Sequence, residues 1–288
     1  MGKSWSKSST PPPPTPDFDP PWRKVEWTHK ELLINQLKSI QLNHPELQNL
    51  RILLHGPVGA GKSCFINSVM SAFHGEVVTM AREQANAKKS CTKTYKAYQI
   101  TTKDNENLPF IFNDVMGLEA TEEDGMHPDD VVNALLGHIR EDYQFNPTCP
   151  ISEKDPSFIR EPSLQDKVHC LVSVVSASSI SRMEKDVINK MGIAREKANT
   201  LDIPHVVIMT KVDDDVCPLV KKDLQKIYMS KKIKDKMQAC SNDLGPPMKL
   251  IFPVSNYYEE NETNDTKDVL ILLALVEIAK IARRCVRH

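Results

Sequence analysis

The chain has 288 residues, of which 40% are hydrophobic and 26% are charged, and its formal net charge is -1. This composition is ordinary for a globular protein with a sizeable core, and the near-zero net charge gives no electrostatic reason to expect direct nucleic-acid binding. Seven scattered cysteines without a CxxC pair indicate free thiols in a reducing compartment, so we expect a cytoplasmic location.

The N-terminal region is predicted to consist of an arm followed by a short helix. Residues 1–21 are rich in serine and proline, a composition typical of disordered segments. Residues 22–46 are predicted to form a helical extension, because Thr28 and Glu31 have the spacing of a capping box and apolar residues follow at helical intervals. The remaining residues, 47–288, are predicted to form one domain.

The first six residues carry a lipidation pattern. Met1 to Ser6 match M-G-x-x-x-[ST], which makes Gly2 a candidate for myristoylation after removal of Met1. A single acyl chain supports only weak and reversible membrane attachment. Because the pattern is short, an unmodified terminus is the alternative.

From residue 50 onward, short apolar runs alternate with longer helical patterns. This alternation predicts a P-loop GTPase-type three-layer α/β/α domain with a mainly parallel sheet. The predicted parallel strands are 51–55, 110–113, 168–175, 205–209 and 250–254, with 95–101 as an antiparallel edge strand. The predicted helices are 62–73, 129–142, 181–200, 218–240 and 266–284. Residues 143–166 contain four prolines and no helical period, so we expect a surface insertion there.

A phosphate-binding loop is predicted where the first strand meets the first long helix. The segment Gly56–Ser63 reads G-x-x-x-x-G-K-S, a pattern whose backbone N–H groups converge on phosphate oxygens. The predicted nucleotide-binding residues of this loop are Gly56, Val58, Gly59, Ala60, Gly61, Lys62, Ser63 and Cys64. Lys62 would bridge the β- and γ-phosphates as a catalytic residue, and Ser63 would ligate Mg²⁺. Val58 stands where many such loops carry glycine, so we expect slow hydrolysis.

Two further segments are predicted to contact Mg²⁺ and the γ-phosphate. Asp114 begins a D-x-x-G motif at the end of an apolar strand; its carboxylate would hold Mg²⁺, while the Gly117 N–H would approach the γ-phosphate. Thr92 is the preferred switch residue, both as metal ligand and as catalytic candidate, with Thr94 as the alternative. Leu118 stands where glutamine positions water in many small GTPases, so nucleotide binding is a firmer prediction than turnover.

A base-recognition site is predicted at the ends of two later strands. Thr210-Lys211-Val212-Asp213 fits [NT]-K-x-D, in which the Asp213 carboxylate would accept from N1–H and the 2-amino group of guanine. Adenine lacks this donor pair. Lys211 would lay its aliphatic stem along the purine, and Ser255 and Asn256 would place backbone N–H groups near O6. A solvated acidic turn is the competing interpretation, which the preceding phosphate loop disfavours.

These motifs and several other segments resemble the interferon-induced protein 44 family from about Asp17 to the C-terminus. The segments are Tyr143–Pro147, Lys167–Leu171, Thr210–Asp213, Cys217–Lys221 and Asp268–Ala274. The resemblance implies a GTPase-like, interferon-induced and mostly cytoplasmic protein connected with antiviral or antiproliferative activity in innate immunity. These biological roles are implied by the resemblance alone.

The sequence therefore predicts a protein that binds GTP or GDP with Mg²⁺ and acts as a slow GTPase or GTP-controlled switch. Two alternatives stay open. The first is an interaction scaffold that holds nucleotide without turnover, and the second is a P-loop ATPase or kinase. The protein partner is not identified, and nucleotide-dependent homodimerisation, which is common among related GTPases, is also open.

Overall fold

A computed structural model describes residues 14–42, 44–81, 93–121, 123–214 and 216–286 of the chain. The strands are β1 (Leu50–His55), β2 (Lys96–Thr101), β3 (Asn107–Asp114), β4 (Cys170–Ser176), β5 (His205–Thr210) and β6 (Ile251–Pro253). The α-helices are α1 (Lys30–Lys38), α2 (Lys62–His74), α3 (Pro128–Leu136), α4 (Lys185–Thr200), α5 (Pro218–Lys222), α6 (Lys231–Leu244) and α7 (Asp265–Cys285).

One sheet with the order β2-β3-β1-β4-β5-β6 organises the described residues. Every neighbouring pair is parallel except β2 and β3, which are antiparallel at one edge. All seven residues of β4 are buried, as expected for a central strand covered by helices on both faces. The predicted α/β fold class, including its antiparallel edge strand, is confirmed.

The helix with the longest apolar run, α7, is a core element. Its side chains from Val269 to Leu272 are nearly or fully buried, and it packs against α1 and α2. No helix in the described ranges is both long and apolar enough to cross a bilayer. The most apolar stretch of the sequence is therefore accounted for by burial within the domain.

The predicted start and end of the first helix are wrong. His29, rather than Thr28, is the N-cap of α1, and no side chain caps that end. The helix ends at Lys38, where the Ser39 hydroxyl donates to the Gln36 carbonyl at 2.9 Å. The capping-box spacing was therefore coincidental.

Two other predicted helices are shorter than their apolar patterns. The helix predicted over 129–142 ends at Leu136, because Gly137 adopts a φ of +84° and closes the last turn. The helix predicted over 218–240 is divided between α5 and α6. Asp223 accepts from Gln225 N at 3.1 Å, and Ser230 accepts from Ile233 N at 3.3 Å to cap α6. These local side-chain bonds interrupt a helix that the apolar pattern alone would continue.

Part of the predicted N-terminal arm packs on the body. The backbone N–H groups of Asp17 and Phe18 donate to the Met229 carbonyl, and the Asp17 carboxylate accepts from Lys231 N at 2.8 Å. The Arg23 guanidinium lies over the Trp22 ring, at 5.3 Å from its centroid. Residues 14–21 therefore do not belong to a free arm, because hydrogen bonds of Asp17 and Phe18 attach this segment to the body. Residues 1–13, including Gly2, lie outside the described residues.

Candidate nucleotide-binding site

The candidate site lies at the carboxyl edge of the sheet, where the loops after β1, β3, β5 and β6 meet. Parallel strands bring their carboxyl ends to the same edge, and ligands of open α/β sheets bind there. Hydrogen bonds join the loop after β1 to the other three loops. Segments that lie up to 195 residues apart in the chain thus meet in one site.

The loop from Gly56 to Ser63 depends on glycine at its bends. Gly56, Gly59 and Gly61 have φ values of +146°, +73° and +93°. A Cβ atom at Gly56 would overlap the carbonyl oxygen of Val174 in β4. The loop therefore combines backbone angles and a close strand contact that only glycine satisfies at residue 56.

Lys62 begins α2 and lies inside the loop. Its Nζ donates to the carbonyls of Gly56 and Pro57, each at 3.2 Å, and the residue is only 7% exposed. Burial lowers the pKa of Lys62, while the nearby Asp114 carboxylate opposes that shift. An anionic ligand in the loop would supply the countercharge that two neutral carbonyls do not.

Ser63 and Asp114 form the candidate Mg²⁺ site. The Ser63 hydroxyl donates to Asp114 Oδ2 at 2.6 Å, and Asp114 is 1% exposed at the end of β3. Mg²⁺ prefers such oxygen ligands and takes its others from water and phosphate. The two side chains supply oxygen ligands only, which fits a Mg²⁺ ion that takes its remaining ligands from nucleotide phosphate and water.

The D-x-x-G segment pairs directly with the phosphate loop. Leu118 N donates to the Gly56 carbonyl at 3.0 Å, and Val58 N donates to the Leu118 carbonyl at 3.2 Å. A Cβ atom at Gly117 would lie 2.8 Å from Val58 Cα, so glycine permits this approach. The Leu118 side chain is 2% exposed and cannot orient water. The backbone of this segment therefore binds the phosphate loop, but the side chain at residue 118 is a buried hydrocarbon.

The candidate base site is tied to the same loop. Thr210 Oγ1 donates to the Ala60 carbonyl at 2.6 Å, and Asn256 Nδ2 donates to the Gly61 carbonyl at 3.1 Å. These two bonds fix the loops after β5 and β6 against the phosphate loop. The sequence motif had not assigned this bracing role to either side chain.

Asp213 lies at the outer end of this arrangement. Its Oδ2 accepts from the Ser255 hydroxyl, and its side chain is 31% exposed. Lys211, two residues earlier, is exposed and has a φ of +56°. Lys267 Nζ lies 3.6 Å from Asp213 Oδ2, a contact that the sequence motifs did not indicate. Its only sequence signal is a lysine in the first turn of a helix, where the helix dipole disfavours a cation.

The switch residues are only partly described. Thr92, predicted as a Mg²⁺ ligand and catalytic residue, lies outside the described residues. Thr94 forms an antiparallel bridge with Gln144. Cys64 follows Ser63 in α2 and is half-buried. The choice between Thr92 and Thr94 as the switch ligand therefore stays as the sequence left it.

The sheet order and this loop define the chain as a P-loop α/β domain of the GTPase type. The chain is 37% identical to interferon-induced protein 44 of Homo sapiens over 234 residues, which are 81% of this chain and 52% of that protein. It is 34% identical over 237 residues to the human interferon-induced protein 44-like protein, with the same shares of each chain. It belongs to the interferon-induced protein 44 family, as its motifs predicted, and spans about half the length of these curated relatives.

A further relative in mouse and one solved structure are also similar to this chain. The mouse interferon-induced protein 44 is 36% identical over 215 residues, which are 74% of this chain and 50% of that protein. No protein-family model matches the chain. Toc33 from Arabidopsis thaliana, solved in complex with GDP and Mg²⁺, is similar in structure with a TM-score of 0.43 and 10% identity, covering 89% of this chain and 96% of that chain. The fold assignment therefore depends on the sheet order and loop geometry described above.

Proposed function

We propose that this chain binds guanine nucleotides with Mg²⁺ and acts as a slow GTPase or GTP-controlled switch. One observation carries the proposal: a single phosphate loop is hydrogen-bonded both to the candidate metal carboxylate and to the loops that hold Asp213. The residues proposed to bind phosphate, metal and base thus lie at one edge of the sheet. A solvated acidic turn would have no reason to be braced against the phosphate loop in this way.

In the proposed complex, the loop's backbone N–H groups and Lys62 bind the phosphates. Bound Mg²⁺ would neutralise charge on the phosphate oxygens. Ser63 and Asp114 would hold that ion, the carboxylate directly or through water. Their 2.6 Å hydrogen bond already brings the two oxygen ligands together, so little rearrangement is needed.

Base selection in this proposal depends on Asp213. Its carboxylate accepts two hydrogen bonds from guanine, whereas adenine presents an amino group and no N1–H. Ser255 donates to one carboxylate oxygen and fixes its orientation. Lys211 is exposed and can cover the purine face with its aliphatic stem. We therefore favour guanine nucleotides over the ATPase or kinase alternative.

Turnover is proposed to be slow, because Leu118 offers no polar group to orient water and Val58 fills space beside Gly117. The scaffold alternative predicts binding with no turnover. Single-turnover phosphate release from bound GTP separates the two. We expect release over minutes to hours, faster in Val58→Gly; no release above the uncatalysed rate, in either form, would favour the scaffold.

Nucleotide binding itself is tested by titrating the purified chain with GDP, GTP, ADP and ATP, with and without Mg²⁺. We expect Mg²⁺-dependent binding of the guanine nucleotides and weaker binding of the adenine nucleotides. Lys62→Ala should reduce affinity for all four. Equal affinity for GTP and ATP, or affinity unchanged by Lys62→Ala, would contradict the proposal.

The relatives suggest a biological setting. Because the matched human and mouse proteins are named as interferon-induced, we propose that this chain is also interferon-induced and acts in the cytoplasm in antiviral defence. Interferon treatment of cells that encode it should raise its transcript. Myristoylation at Gly2, a protein partner and homodimerisation stay predictions of the sequence.

A further inference from the structure

We propose that Lys267 is a positioning residue that sets the guanine preference of this site by holding both of its base-reading elements. The inference rests on the proposed guanine-nucleotide function. Lys267 Nζ lies 3.6 Å from Asp213 Oδ2 and donates to the Asn256 carbonyl at 3.1 Å. The Lys267 ammonium thus contacts two groups of the proposed base site. One is the Asp213 carboxylate, which would accept from N1–H and the 2-amino group of guanine; the other is Asn256, whose backbone N–H would face O6.

The lysine is held in place by its surroundings. Its side chain is 13% exposed, and its ammonium lies 5.5 Å from the centroid of the Tyr257 ring and pairs with Glu260. Its backbone N–H donates to Asn264 Oδ1, the N-cap of α7, at 3.2 Å. The position of the ammonium is therefore fixed by a helix cap, a ring and two carboxylates.

The helix that carries Lys267 is anchored to the core. Asp268, the next residue, is fully buried, accepts from the Tyr257 hydroxyl at 2.7 Å and lies 2.7 Å from Lys30 Nζ. Tyr257 N in turn donates to Ser68 in α2 at 2.9 Å. The first turn of α7 is thus a rigid support, and a rigid support is what a binding group needs to orient its neighbours.

A cation in the first turn of a helix is opposed by the helix dipole, so Lys267 is unfavourable there unless other groups compensate. Lys267 offsets that cost with acceptors from two loops: Asp213 after β5, and Asn256 and Glu260 after β6. Asp213 thereby gains a second partner in addition to Ser255, and the two contacts hold its carboxylate in one orientation. The positive charge of Lys267 therefore helps to orient the Asp213 carboxylate, which is proposed to distinguish guanine from adenine.

The test compares the affinities of GDP, inosine diphosphate and ADP for the wild type and three variants. Inosine diphosphate lacks the 2-amino group and so uses one of the two bonds to Asp213. Lys267→Met removes the charge and nearly keeps the shape, while Lys267→Arg keeps the charge. Lys280→Met is the matched control, because Lys280 pairs with Glu277 on the same helix, outside the contacts that form the base site.

In Lys267→Met, the ratio of GDP to ADP affinity should fall about two- to fivefold, the size expected for one partly exposed ion pair. The ratio of GDP to inosine diphosphate affinity should fall as well. Lys267→Arg should restore part of both affinity ratios, and Lys280→Met should leave both ratios at their wild-type values. Equal weakening of all three nucleotides, or unaltered ratios, would overturn the inference. A wild type without guanine preference would instead overturn the proposed function, and this inference with it.

Discussion

At the scale of single residues, the phosphate loop depends on the absence of a side chain at Gly56. Gly56→Ala should destabilise the fold by about 3 kcal/mol or more, because its Cβ would overlap the Val174 carbonyl of a central strand. Gly59→Ala is the matched control: its Cβ meets nothing within 4 Å, and only its φ of +73° costs about 1 kcal/mol. Urea denaturation measures both, and equal losses would contradict the overlap.

A second residue-scale prediction concerns pH. Burial, together with the Arg51 charge, lowers the pKa of His169 to about 4, whereas its ordinary value is 6.5. The unfolded chain therefore takes up a proton before the folded chain does. The contribution of His169 to stability should be nearly constant above about pH 7.5 and should fall by up to about 3 kcal/mol as the pH drops to 4.

His169→Asn tests this linkage. Asparagine can keep the acceptor that receives the Arg51 N–H at 2.9 Å, but it does not titrate. The variant should lose less stability than the wild type between pH 7.5 and pH 5, as measured by urea midpoints. The loss should not vanish, because burial also lowers the pKa of His205 to about 4. An unchanged pH dependence would show that His169 protonates equally in both states.

The proximity of the candidate phosphate and metal residues was predictable from local motifs. Lys62, Ser63 and Asp114 stand at fixed positions in local motifs, so the sequence placed them together before any geometry was known. Lys267 was not predicted, because its contact with Asp213 joins residues 54 apart and belongs to no motif. Contacts between loops of different strands depend on packing that no local pattern encodes.

At the scale of elements, α1 is joined to the domain through a buried ion pair. Lys30 Nζ lies 2.7 Å from the fully buried carboxylate of Asp268 in α7. Lys30→Met should destabilise the fold by about 3 kcal/mol, because it leaves a buried charge without its cation. Lys280→Met, which breaks a half-exposed pair with Glu277, should cost under about 0.5 kcal/mol. Thermal unfolding of both variants measures the difference, and equal midpoints would show that the Lys30–Asp268 pair stabilises the fold no more than the half-exposed pair does.

Helix boundaries were the least predictable elements. Periodicity indicated where apolar faces exist, and it located α2, α4 and α7 to within a few residues of one or both ends. It missed the breaks at Gly137 and Ser230, because a left-handed turn and a side-chain cap end a helix without interrupting its apolar pattern.

At the scale of the whole molecule, the alternation of apolar runs and helical patterns was sufficient to predict the sheet class and its antiparallel edge. Composition was a poorer guide to the N-terminus. Prolines lower the mean hydropathy of residues 14–21, yet Phe18 and the adjacent Trp22 pack beside α6. A few specific hydrogen bonds and ring contacts attach the segment, and an average over its composition does not reveal them.

We expect Asp213 to select guanine, because the loop that carries it is hydrogen-bonded to the phosphate loop through Thr210. The most direct measurement is the affinity of wild type and Asp213→Asn for guanosine and xanthosine diphosphates. Xanthine carries an oxygen where guanine carries its 2-amino group, so an asparagine amide can donate to it. We expect Asp213→Asn to lose about a hundredfold in affinity for the guanosine nucleotide and to prefer the xanthosine nucleotide. An unchanged preference for the guanosine nucleotide in the variant would show that Asp213 does not select the base.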